Sequence, residues 1–157
     1  MRVVELLRAP VNGICPVIAE LALESGIQMP FLAPEHLRAE NVAPELAEKS
    51  VAAKYPAVHV YCEKVSNLLR EKFRTFSGKA KLVAEARVSQ DRLEGLEQKS
   101  QLMADAITAV LDINRGDWGQ GMFYTGGYEI TYGAVKHGGK NFLQITKVTF
   151  EIDISAN

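Results

Sequence analysis

The sequence predicts an α+β domain: a mostly antiparallel sheet packed against one long helix, preceded by an irregular, Pro-rich helical segment. Three observations carry that prediction. All six prolines lie at or before Pro56, and proline fixes φ and removes a helix donor, so the first third holds only short elements. After Pro56, apolar residues recur with a period of two in several runs. Between two groups of those runs stands one long stretch with helical spacing. The chain therefore divides into residues 1–56, a segment packed on or extending from the domain, and residues 57–157, the α+β core of a single domain.

Residues 15–25 predict a short helix: Pro16 suits a first turn, Val17, Ile18 and Leu21 form a stripe, and Gly26 stops it. Residues 41–54 predict another, with Val42, Leu46, Ala47 and Val51 facing one way and Tyr55-Pro56 ending it. A Pro-containing connector, 28–35, joins the two. In 57–62, Val58, Val60 and Cys62 alternate with larger residues, the signature of a strand. A turn at Ser77-Gly78-Lys79 then leads into a second strand over 80–89, where Leu82, Ala84, Ala86 and Val88 alternate with Lys81, Glu85 and Arg87.

The long helix starts from Ser89 or Asp91 as its N-cap and runs for about 22 residues, with Leu93, Leu96, Met103, Ile107, Val110 and Leu111 three, four or seven apart. Asn114-Arg115-Gly116-Asp117-Trp118-Gly119 ends it in a turn-rich link. The remainder is β: 121–125, 128–136, a turn at 137–140 and a long strand over 141–154. On that last strand the apolar parity changes between Ile145 and Val148, which predicts a bulge or a change of covering layer near 144–146.

Composition narrows the function. Of the 157 residues, 47% are hydrophobic and 24% charged, a balance that excludes wholesale disorder. The formal charge of -1 gives no global attraction to phosphate backbones or anionic membranes. The apolar stretch 14–23 is interrupted by Pro16 and Glu20, so no membrane span is expected, and the first residues lack the charged-then-apolar layout of a secretory signal. These features favour a cytoplasmic, unprocessed protein.

Catalytic chemistry finds little purchase. Cys15 and Cys62 read as buried thiols. The histidines are His36, His59 and His137; His59 projects away from Cys62, because residues three apart on a strand point to opposite faces, and it reads as a surface imidazole. No His or Cys spacing matches a metal site, and the carboxylates Asp91, Glu94 and Glu97 read as acids complementing a helix dipole. The glycine pairs are turns, since none is followed by the Lys-Ser/Thr of a phosphate loop. The sequence therefore predicts no enzyme, no cofactor and no metal. Trp118, with Phe123, Tyr124 and Tyr128 behind it, has two readings: a small cluster sealing the end of the sheet, or an interface anchor.

Five stretches share one resemblance: 55–62, 71–79, Val88-Ser89-Gln90-Asp91-Arg92, 114–119 and the closing strand 148–155. Together with the layout of strand, strand, long helix and terminal β region, they resemble the tail terminator family of tailed bacteriophages over roughly residues 40–155. The resemblance implies a structural virion protein. Six copies would form a ring that caps the head-proximal end of the tail tube, touching the tube protein on one side and a neck or connector protein on the other. DNA would pass through the lumen without specific binding. A neighbouring neck or tail-completion protein, and a small cytoplasmic ligand-binding module or enzyme, are the other two readings. A cyclic ring needs two different complementary surfaces per subunit. Candidates are Arg115, Asp117, Trp118, Phe123, Tyr124 and Tyr128 on the glycine-rich link, Lys136, His137 and Lys140 at the hairpin tip, and Phe31 on the Pro-containing arm.

Overall fold

The computed structural model describes residues 36–38, 55–119, 121–138 and 140–156. The expected helices 15–25 and 41–54, the connector 28–35, Cys15 and Phe31 lie outside the described residues. In chain order the elements are β1 (Leu37–Arg38), β2 (Ala57–Asn67), β3 (Phe76–Gln90), α1 (Leu96–Ile113), β4 (Gly116–Gly119), β5 (Met122–Tyr124), β6 (Tyr128–Tyr132), β7 (Lys136–Gly138) and β8 (Asn141–Ala156). They build one sheet in the order β1-β2-β3-β8-β5-β4, with β6 and β7 following β5 along the same edge of β8. Only the short β1 pairs in parallel. Among the described residues, the architecture is thus a mostly antiparallel sheet with one helix, an α+β fold.

The sheet is organised by β3 and β8, which share fifteen successive residue pairs from Phe76 opposite Ala156 to Gln90 opposite Phe142. On one face Ala80, Leu82 and Ala84 stand opposite Ile152, Phe150 and Val148, and β2 adds Val58 and Val60. Helix α1 lies across β3 and β8 and brings Leu96, Met103, Ile107, Val110 and Leu111 onto this face. Burying a side chain of that size stabilises the fold by about 1.5–3 kcal/mol. This is the core.

Several boundaries move. Both β2 and β3 run further than the alternating segments predict, and the expected turn at Ser77-Gly78-Lys79 is strand. Gly78 is needed there for closeness rather than for a turn: a Cβ on it would overlap the Ser66 carbonyl of β2. Because β3 continues to Gln90, the helix starts later, at Leu96, with Gly95 in the left-handed region as its cap instead of Ser89 or Asp91. The Gln90 side chain holds the intervening bend, its Nε2 donating to the Arg92 and Glu94 carbonyls at 2.6 and 2.7 Å. Leu93 falls in this bend and is exposed, not part of the helix stripe.

The β3/β8 register carries no shift, so there is no bulge at 144–146. Leu143 and Ile145 instead sit on the face of Arg87, opposite the helix, while Gln144 and Thr146 are buried on the helix side. Register shifts fall instead in β2, at Glu63 between Cys62 and Lys64, and in β4 between Asp117 and Gly119. The expected strand 128–136 is broken into β6 and β7, with Gly133 still tied to β8 through its N–H to the Ile145 carbonyl at 2.9 Å. Among the described residues no helix is long and apolar enough to cross a membrane.

Candidate functional site

The predicted link residues divide between core and surface. Asn114 caps α1, its Nδ2 donating to the Val110 carbonyl at 2.8 Å, and its own carbonyl accepts the Trp118 indole N–H at 2.6 Å. That bond turns the Trp118 ring inward against Tyr124 and Phe150, with centroids 5.6 and 6.2 Å away. Tyr124 is fully buried, so its place is in the core and not on a contact surface. Burial, with the Asp112 carboxylate nearby, pushes its phenol up to about 12. Trp118 and Tyr124 therefore form the aromatic seal at the end of the sheet.

Arg115 remains at the surface, paired with Asp112 at 3.0 Å and folded over Gly126. Asp117 is exposed and accepts the Gly119 N–H at 2.8 Å, which shapes the β4–β5 turn. Phe123 faces away from the Tyr124 side and is about half exposed, and Tyr128 is exposed on β6. His137 lies with Lys136 in β7 rather than in the turn, and it stacks edge-on against Phe142 at 5.1 Å. Lys140 is exposed beside them. The structure thus brings Phe123 and the Trp118–Tyr124 pair to one end of the sheet, and Lys136, His137 and Lys140 to the other.

Sequence reasoning passed over the most exposed apolar surface among the described residues, the β2–β3 connection at 68–75. Phe73 is 99% exposed and Leu69 65%, with Leu68 beside them. Both Leu69 and Phe73 adopt positive φ, 48° and 66°, a region in which L side chains cost of order 1–3 kcal/mol. A dense set of hydrogen bonds holds them there. Asn67 Oδ1 accepts the N–H groups of Leu69 and Ser77 at 3.3 and 3.1 Å, and its Nδ2 donates to the Thr75 carbonyl at 3.1 Å. Ser77 accepts the Glu71 N–H on its Oγ and the Leu68 N–H on its carbonyl. Glu71 in turn accepts the Ser155 hydroxyl at 2.8 Å and pairs with Arg74 at 3.5 Å. The loop is a braced knuckle, and Arg70, Lys72 and Arg74 against Glu71 make it basic. The signal in the sequence was the run of polar residues around Leu68, Leu69 and Phe73; what concealed it was that apolar residues in short charged segments usually turn inward.

On the face away from the helix the chemistry is internal. Arg87 is 2% exposed and pairs with Glu85 at 2.6 Å. Glu85 also accepts the Tyr61 hydroxyl at 3.3 Å and faces Lys147 at 3.7 Å. Burial, then the Glu85 carboxylate, pushes the Tyr61 phenol up to about 12. His59, opposite Glu85 in the register, is buried, correcting the expected surface imidazole. Cys62, on the other face, is half-buried rather than buried, and burial pushes its thiol up, away from the thiolate a nucleophile requires. A shallow depression of about 450 Å³ on the far face lies among Glu63, Lys64, Lys79, Lys81 and Glu151. Its Lys79 and Lys81 are answered by Glu151 and Glu63 at 3.5 and 3.2 Å, which leaves little net field for an anionic ligand. Among the described residues no group of three or more His, Cys, Asp or Glu is placed to hold a metal.

Comparison of the chain with protein-family models finds no match, and comparison with curated proteins finds none either.

Proposed function

We propose that this chain is a structural subunit of a phage tail, forming a ring that caps the head-proximal end of the tail tube and joins it to the neck. The observation that carries this reading is the braced knuckle: a protein rarely holds Leu69 and Phe73 outward in a costly backbone conformation unless another surface receives them. A flexible loop would turn them in. Tyr61, Glu85 and Arg87, polar groups of the kind catalysis draws on, are bonded instead to one another on the far face. The resemblance of residues 40–155 to tail terminators supplies the place in the virion, with the tail tube protein and a neck or connector protein as neighbours.

Electron microscopy of particles from a phage carrying a deletion of this gene tests the reading. Overlong tubes lying unjoined beside filled heads are the expected result. Tails of normal length that fail to join would move the protein to the neck, and normal infectious virions would end the structural reading.

A further inference from the structure

We infer that successive copies of this chain bind one another by seating the β2–β3 knuckle of one copy on the aromatic ledge that β6 forms beside α1 in the next. The inference rests on the ring reading above and names the contact that would close the ring. The ledge arises from strand register. Tyr128, Ile130 and Tyr132 stand opposite Phe150, Val148 and Thr146, so they share the helix-side face of the sheet. Helix α1 lies mainly over β3 and β8 rather than over this edge strand, and Tyr128 is 39% and Tyr132 46% exposed with Ile130 partly buried between them.

The charges on the two surfaces are opposite. Along its solvent side α1 presents Glu97 and Asp105, while Asp112 is paired with Arg115 at 3.0 Å and Lys99 is drawn off to Gln90 at 2.7 Å. Asp105 stands near Tyr132, whose phenol is raised by burial and then by that carboxylate. The knuckle offers the complement: Leu69 and Phe73 as apolar anchors, with Arg70, Lys72 and Arg74 around them and Glu71 engaged by Ser155 and Arg74. An aromatic shelf bordered by the Asp105 carboxylate suits an apolar tip bordered by cations, since a desolvated anchor supplies affinity and the rim charges supply register. The knuckle lies at one end of the β2–β3 hairpin and the ledge on the far edge of β8. The contact is therefore head-to-tail, and such contacts close into rings when the rotation permits.

The test replaces Phe73 in the full-length chain with p-benzoylphenylalanine, irradiates the protein at concentrations where it self-associates, and identifies joined peptides by mass spectrometry. Cross-links from position 73 to the β6 or α1 peptides of a second copy are expected. In parallel, Lys72→Glu and Asp105→Lys should each weaken self-association at least about tenfold, and the double variant should recover it. Phe73→Asn, which keeps the left-handed backbone accessible, should weaken it as much. Cross-links to another part of the chain or to another protein, or charge variants that associate as the parent does, overturn the contact. A parent chain that stays monomeric at every concentration also overturns it. Micrographs of isolated tails separate the two claims: a ring of this protein that persists in the Phe73→Asn phage leaves the ring reading standing while this contact falls.

Discussion

The same three strands, β2, β3 and β8, present two faces that solve burial differently. On the helix side the alternating positions are apolar almost throughout, and Val58, Val60, Leu82, Val148, Phe150 and Ile152 pack without any polar bookkeeping. On the far side one half is a wet ladder of Lys79, Lys81, Glu63 and Glu151, whereas the other half buries His59, Val83, Glu85 and Arg87. Two positions along β3, from Lys81 to Val83, separate these regimes, and Glu85 is only two further on. The difference shows that alternation identifies which residues share a face but not whether that face is dry.

The comparison breaks most visibly at Arg87. Among the described residues Arg87→Ala leaves the buried Glu85 carboxylate to Tyr61 and the more distant Lys147, and should cost about 3–5 kcal/mol, read as a lower urea midpoint at unchanged slope. A loss under about 1 kcal/mol would mean that water reaches this half of the face.

This is where the sequence was legible and where it was not. The apolar stripe of the helix, the core strands and the fold class follow from periodicity, because those positions are buried on one side whatever covers the other. Periodicity marks Glu85 and Arg87 only as alternating with the apolar positions and gives no sign of their burial, since a charged residue is almost never fully buried without a partner, and the partner here sits two residues along the same strand. The knuckle was hidden for the opposite reason: Leu69 and Phe73 are apolar yet point out, and the Asn67 and Ser77 hydrogen bonds that force this are visible only once β2 and β3 are paired. Of the candidate contact residues, Tyr124 went to the core, and Trp118 lies half-buried against it because the Asn114 carbonyl fixes the indole.

A second effect sharpens the contrast at alkaline pH. Tyr61 on the far face and Tyr124 in the helix-side core both hold their protons up to about 12, whereas an unfolded phenol ionises near 10. Between those values the folded state binds more protons than the unfolded one, so stability is full below about pH 10 and falls as pH rises toward about 12. Denaturant midpoints across that window should decline, and Tyr61→Phe with Tyr124→Phe should flatten the decline. A slope unaffected by both substitutions would place its source elsewhere.

The smallest effect belongs to the wet half. Lys81 and Glu63 pair at 3.2 Å with both side chains about half exposed, and Lys81→Ala should change stability by no more than about 0.5 kcal/mol, diminishing further with added salt. A larger loss would show that the ladder is drier than its exposure suggests.

The position of β8 in the sheet also has a consequence for synthesis. It pairs with β3 along one edge and with β5, β6 and β7 along the other, and it follows all four in the chain. Until β8 leaves the ribosome, β3 has a partner on one side only, and β5 and β6 lack the strand that orders them. Folding therefore waits on pairings such as Phe76 with Ala156, which are distant in sequence and slow to form. During that wait the apolar edge of β3 is open to other nascent chains, so expression yield should depend on translation rate and on chaperones that shield unpaired strands.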